Sequence, residues 1–435
     1  VTLQAVIHIS STAVCTVVGY FETKGLEKHL RVSAVGLAHT DAFFGGRVDH
    51  REYLLSAIHK SVREASDMAG LQIISPVLCM ASPMMNMQNM SNEVHIDTAD
   101  RMVTPEHIRQ ATQAMSDQII SQDRAPFQMN RQLIFLEDYH VQDAKGLMTD
   151  KICVASHVID MPTNQLKQMI SLVEQDDLQV ASCLFDGIAG AEYALSEDEK
   201  QAGVCFIDIG AGMTKVCIYK DGILIYSHCL DMGGVTVDMD IAKECGISLA
   251  DTDSFKRQEG TLNRHKYSSG AVVTYKRHTK HEKTMLRREL NQVIEARYRK
   301  LFDKVIDEID ASLLVSLDAG IVLAGGGSSM DGLLDFTRNH IGMKVRLITN
   351  NPRVKLDPER LSDDNIKLLN KHLCDNTLHT AIGALLFMGS AQYARDQQTQ
   401  EADEPDDSWV TERVSMISQL FGQFTAWIKR SFLKF

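Results

Sequence analysis

At 435 residues, 44% hydrophobic and 23% charged, the chain is long enough for two or more cores and has the balance of a globular protein. Its formal net charge of -12 lacks the basic field of a general nucleic-acid binder. The nine cysteines are scattered without a Cys-x-x-Cys pair, the pattern of small buried residues in a reducing cytosol rather than a disulfide or zinc framework.

No secretory signal is present, and no apolar run approaches the ~20 residues of a membrane span. The chain opens at Val1, which leaves open a short leader ahead of it. Residues 3–21 read as strand, Ser-Ser-Thr turn and strand, with Ser10, Ser11 and Thr12 in the turn. A third strand is expected at 30–38, then Phe44, Gly45 and Gly46, then a helix over 50–69 with apolar residues at helical spacing. Residues 71–160 change character: mixed strands, a helix over 104–121 opened by Thr104, Pro105 and Glu106, and an extended segment over 131–160. This stretch reads as an inserted subdomain, with Met80, Met84, Met85, Met87 and Met90 as core filler. A helix over 162–174, a strand over 178–185 and a short helix over 186–195 follow.

Residues 204–220, VCFIDIGAGMTKVCIYK, echo the first hairpin in outline: an apolar run, Asp208 at its rim, a turn with Gly210 and Gly212, and a second apolar run. Two similar hairpins far apart suggest a duplicated, two-lobed α/β fold. Glycines let backbone N–H groups approach an anion, and Asp208 is placed to orient a hydrated divalent cation on it. An ordinary hairpin with a surface Asp is the competing reading of this segment alone. Residues 235–315 are helical and charge-rich, with a hairpin near 265–276, and read as a second insertion. Their basic cluster, Arg277, His278, Lys280, His281 and Lys283, reads as a solvated loop. Residues 320–334, GIVLAGGGSSMDGLL, are a strand, three bare glycines (Gly325, Gly326 and Gly327), Ser328 and a helix start, which suits a nucleotide. The spacing is neither a Walker A loop nor a dinucleotide fingerprint.

Residues 376–393 read as a helix in which Gly383 and Ala384 allow close packing, and 396–407, DQQTQEADEPDD, as a disordered acidic linker. From 413 to 435 the pattern is an amphipathic helix. Val414, Ile417, Leu420, Phe421, Phe424, Trp427, Ile428, Phe432 and Phe435 share one side, Leu433 lies off that face, and every charge after Glu412 is positive. Such a helix lies in the headgroup plane, with Lys429, Arg430 and Lys434 toward anionic lipid. A helix docked on the chain's own core or on a protein partner is the alternative.

Together these segments resemble the actin/Hsp70/sugar-kinase superfamily and, within it, the FtsA family of bacterial division proteins. The resemblance rests on the first hairpin, DIGAG, GIVLAGGG, the HTAIGALL helix and the tethered amphipathic tail. It implies an actin-like (ribonuclease H-like) duplicated ATPase fold. The first-lobe core is then 1–81 with 159–200 and 376–395, carrying an inserted subdomain at 82–158. The second-lobe core is 201–234 with 316–375, carrying an insertion at 235–315; a linker at 396–408 and a membrane helix at 409–435 complete the chain. The implied nucleotide site for ATP or ADP with Mg comprises Ser10, Ser11, Thr12, Asp208 (also the metal residue), Gly210, Ala211, Gly212, Met213, Thr214, Lys215, Gly234, Lys256, Glu259, Gly325, Gly326, Gly327 and Ser328. The implied partners are the FtsZ C-terminal tail, held by Arg297, Tyr298 and Lys300, further copies of the chain in a filament, later division proteins and anionic lipid. The implied place is the cytoplasmic face of the inner membrane at the division site.

The chain departs from the family pattern in both phosphate turns. His8, Ser10, Ser11 and Ala13 stand in place of acid-x-Gly-Thr and a following Lys, and Gly210–Lys215 in place of Gly-Gly-Gly-Thr-x-Asp. The expectation is nucleotide binding, retained or weakened, with poor or absent hydrolysis, because hydrolysis needs a held metal and a positioned water. The alternatives are an ATP-dependent small-molecule kinase of the same fold, or another actin-like membrane adaptor such as a pilus-assembly scaffold.

Overall fold

The computed structural model describes residues 2–401, apart from 26, 138, 176–177, 277–281, 310 and 375–376. Residues 277–281 of the basic cluster, the end of the acidic linker and the whole amphipathic segment 413–435, with its membrane-facing residues Ile417 to Phe435, lie outside the described residues.

Two sheets repeat one plan. The first runs Ser182–Phe185, Val77–Met80, Gln4–Ile9, Ala13–Lys24, Glu27–His39 and Val354–Leu356. The second runs Ile223–Leu230, Thr214–Lys220, Val204–Ile209, Gly320–Ala324 and Val345–Leu347. In each, three strands form an antiparallel meander, and two more add in parallel beyond the first strand of the hairpin. The duplicated, two-lobed reading is therefore borne out. Every residue of Val204–Ile209 and of Gly320–Ala324 is buried, as in strands covered on both faces, and in the first of them the burial takes in Asp208.

Two helices, Asp186–Ala194, buried throughout, and His379–Met388, buried through Phe387, pack against each other beside these sheets. They meet backbone to backbone: a Cβ on Gly383 would lie 1.9 Å from the Ala189 carbonyl oxygen. The residues of 376–393 do not form one helix. Gly389 ends the first, and a second spans Ala391–Glu401. That second helix takes in the start of the segment expected to be a linker, because Gln392 donates to the Arg131 carbonyl (2.9 Å) and the Asp396 carboxylate accepts from the Arg131 N–H (3.1 Å).

The first insertion is an antiparallel sheet, ordered Asn86–His95, Lys151–Pro162, Arg124–Phe135 and His140–Val141, covered by the helix Pro105–Ile120. Ile108, Ala111, Met115 and Ile119 form its buried stripe. Of the methionines, Met80 and Met85 are core, whereas Met84 is exposed. The insertion also reaches the second lobe. His157 joins Ser227 Oγ (2.7 Å) and Asn89 (2.8 Å), and Gln132 donates to the Leu224 carbonyl (2.7 Å).

The second insertion holds the helices Gly234–Cys245, Leu249–Glu259 and Arg287–Asp307. Its hairpin pairs Val272–Lys276 with Glu282–Leu286, so it lies further along the chain than 265–276: the turn residues Asn263–Ser268 precede it rather than forming its first strand.

Candidate functional site between the lobes

Both hairpins end at one place. The first-lobe turn is closed by Ser10, whose hydroxyl donates to the Ala13 carbonyl (2.9 Å). The second-lobe turn is closed by the Gly210 N–H, which donates to the Met213 carbonyl (2.9 Å). They come into contact: a Cβ on Gly212 would meet Ser11 Oγ at 2.7 Å and the Phe44 ring at 3.0 Å. Ser11, Met213 and Thr214 are buried and Thr12 is exposed. Thr214 Oγ1 donates to the Met232 carbonyl (2.7 Å), so its hydroxyl is already satisfied away from the turn.

The glycine-rich stretch after the 320–324 strand adjoins the same acid. Gly325 has φ +82°, and a Cβ there would sit 2.1 Å from Asp208 Oδ1, so only glycine fits. Gly326–Ser329 form a single 3-10 turn, with Ser328 Oγ donating to the Gly325 carbonyl (2.7 Å). Ala211 and Gly210 carbonyls accept from Val235 and Gly234 N–H groups (both 2.9 Å), which ties the second turn to the start of the 234–245 helix.

Beneath these turns lies a charged cluster. Asp208 is 2% exposed and Lys215 7%. Lys215 Nζ is 3.0 Å from Asp208 Oδ2 and 3.5 Å from Asp186 Oδ2. His379 Nε2 is 3.7 Å from Asp208 Oδ2, and His8 Nε2 is 3.8 Å from Asp186 Oδ2. Burial opposes the charge on Asp208, but the Lys215 ammonium and then His379 outweigh it and hold the carboxyl below the usual carboxylate range. Burial likewise opposes the charge on Lys215, and Asp186 and Asp208 overcome it to push the ammonium above its ordinary value. Asp186 Oδ1 is buried without a hydrogen-bond partner.

Lys256 and Glu259 stand in the last turn of the Leu249–Glu259 helix, with Lys256 beside Gly234. Lys256 Nζ pairs with Asp238 (2.8 Å) and Asp253 (3.2 Å) and lies 3.4 Å from the Gly234 carbonyl, while Glu259 pairs with Arg287. Of the three residues assigned to a partner peptide, Arg297 makes two 2.6 Å hydrogen bonds to Asp240, and Lys300 is exposed. Tyr298 is 2% exposed and its hydroxyl donates to the Gly327 carbonyl (2.8 Å). Its assignment to a surface contact is corrected: it faces inward and braces the glycine turn.

Sequence reading brought together Asp208, Lys215 and the three turns, but missed Asp186 and His379. Asp186 follows the short strand Ser182–Phe185 with no glycine turn beside it to mark it, and only the fold brings it to Lys215. Among the described residues no group of three His, Cys, Asp or Glu side chains is arranged to hold a metal ion. No helix among them is long and apolar enough to cross a membrane.

A family model described as cell division protein FtsA matches residues 205–383. Cell division protein FtsA of Buchnera aphidicola subsp. Schizaphis graminum is 25% identical over 436 residues, covering 98% of this chain and 97% of its own. Its counterpart in Escherichia coli strain K12 is 25% identical over 351 residues, covering 78% of this chain and 82% of its own. Among solved structures, one titled PilM-PilN type IV pilus biogenesis complex matches with a TM-score of 0.59 at 14% identity, covering 89% of this chain and 98% of that one. The architecture is the actin-like, duplicated two-lobed α/β fold.

Proposed function

We propose that this chain, 25% identical to one cell division protein FtsA over 98% of its length, is an actin-like division adaptor that binds ATP or ADP between its lobes. The observation that carries this reading is the meeting of turns from both lobes, Ser10–Ala13 against Gly210–Thr214 and Gly325–Ser328 against Asp208, where the bare backbone of Gly210, Gly212 and Gly325 to Gly327 suits a polyphosphate. Lys256 and Glu259 flank the base side. Hydrolysis is weak or absent, because His8 stands where a water-orienting acid is needed.

The adaptor role adds a protein partner and a surface. The outer face of the Arg287–Asp307 helix, at the exposed Lys300 and at Arg297 once its guanidinium exchanges Asp240 for the peptide, takes the acidic C-terminal tail of FtsZ through charge-assisted hydrogen bonds. The segment 409–435 lies on anionic lipid at the cytoplasmic face of the inner membrane. The chain self-associates there into a filament and recruits later division proteins. A small-molecule kinase has no support from the cleft, since its central acid is paired to Lys215. The likeness to the PilM-PilN complex, at 14% identity, is one of fold alone.

The test is recruitment of a fluorescent FtsZ-tail peptide to anionic vesicles. The full chain should bring the peptide down with the vesicles. Deletion of 409–435 should abolish co-sedimentation, and Lys300→Glu should weaken peptide binding about tenfold while leaving vesicle binding unchanged. Peptide left in solution by the full chain would reject the adaptor reading, and vesicle binding by the truncated chain would reject the membrane segment.

A further inference from the structure

The family resemblance implies a divalent cation beside Asp208, and the residues present do not fit one. Mg2+ needs oxygen ligands at about 2.0–2.1 Å in a near-octahedral shell and keeps much of its water. Asp208 Oδ2 already faces the Lys215 ammonium at 3.0 Å and His379 Nε2 at 3.7 Å. Where a first-lobe acid would share the ion's water, His8 faces Asp186 instead. The ammonium is not a loose surface charge. It is 7% exposed, lies directly under the second phosphate turn (3.3 Å from where a Gly210 Cβ would stand), and is clamped between two carboxylates that are each under 3% exposed. A doubly charged ion on Asp208 would sit against this fixed positive charge in a site poor in water to screen it.

We propose that the Lys215 ammonium is a built-in replacement for the divalent cation, held by Asp186 and Asp208, so that a polyphosphate on the turns above binds without metal. The cluster of two carboxylates and one ammonium accounts for the charge pairing that a hydrated metal would otherwise give this floor, and it leaves no metal-held water to attack a phosphate. For the polyphosphate the inference rests on the nucleotide reading above; the exclusion of metal does not.

Two measurements on the full chain separate them. The first follows Mn2+ by electron paramagnetic resonance with no nucleotide present. The parent should leave the Mn2+ signal that of the free ion, and Lys215→Ala, which removes the ammonium from between Asp186 and Asp208 and leaves each carboxylate only its histidine neighbour, should bind Mn2+ and regain thermal stability when Mg2+ is added. Mn2+ bound by the parent, or no Mn2+ bound by a folded Lys215→Ala, overturns the proposal. Should that variant not fold, the parent's own Mn2+ signal still decides. The second titrates a fluorescent ADP analogue in Mg2+ and in EDTA. Affinities within about twofold are expected, and a loss of about tenfold or more in EDTA contradicts it. No binding in either buffer would remove the nucleotide reading and leave the metal measurement to judge Lys215.

Discussion

Burial decides the behaviour of the charged and polar side chains that join the parts of this molecule. His157 bridges Asn89 and Ser227 where the first insertion meets the second lobe, and burial pulls its pKa down to about 4. The unfolded chain takes up a proton near the ordinary value of about 6.5, so the folded state is at full strength above that pH and loses stability as pH falls toward 4. The pH window of about 2.5 units corresponds to at most ~3 kcal/mol. Thermal melts at pH 7 and pH 5 should show the parent losing more stability on acidification than His157→Gln, which keeps hydrogen-bonding atoms but does not titrate. Equal losses would mean that His157 is not the titrating group. The residues visible from sequence were those whose neighbours in the chain explain them: Asp208 beside its glycine turn, and Gly325 to Gly327 after a strand. Asp186, His379 and His157 were not visible, because each is defined by partners far along the chain or across the two lobes.

Among the described helices, packing is closest where the Asp186–Ala194 and His379–Met388 helices cross. A side chain at Gly383 would collide with the backbone of the facing helix rather than with a movable side chain, so the helices must part to admit it. Gly383→Val should cost about 3 kcal/mol, read as a lowered denaturant midpoint, whereas Gly270→Ala, with open space around its Cβ, should stay within ~0.5 kcal/mol of the parent. A neutral Gly383→Val would show that the contact is slack. Small residues marked a helix over 376–393, of which 379–388 forms one and the rest enters a second, and the 50–69 and 104–121 helices were legible to within a residue or two. The Ala391–Glu401 helix was not, because its acidic, polar sequence reads as solvated and its anchor, the Arg131 backbone, lies in an insertion hundreds of residues earlier.

At the scale of the whole molecule, two sheets of one plan face a common cleft, and the repeat of the hairpin with an acid or its replacement at the rim was readable from the chain. What lay beyond reach was how the first insertion braces against the second lobe, since that contact depends on an antiparallel sheet whose register no local pattern fixes. The account of function turns on the cleft holding an adenine nucleotide. Calorimetric titration of ADP into the full-length chain tests this most directly: saturable binding at one nucleotide per chain is predicted, and no heat of binding up to millimolar ADP would contradict it.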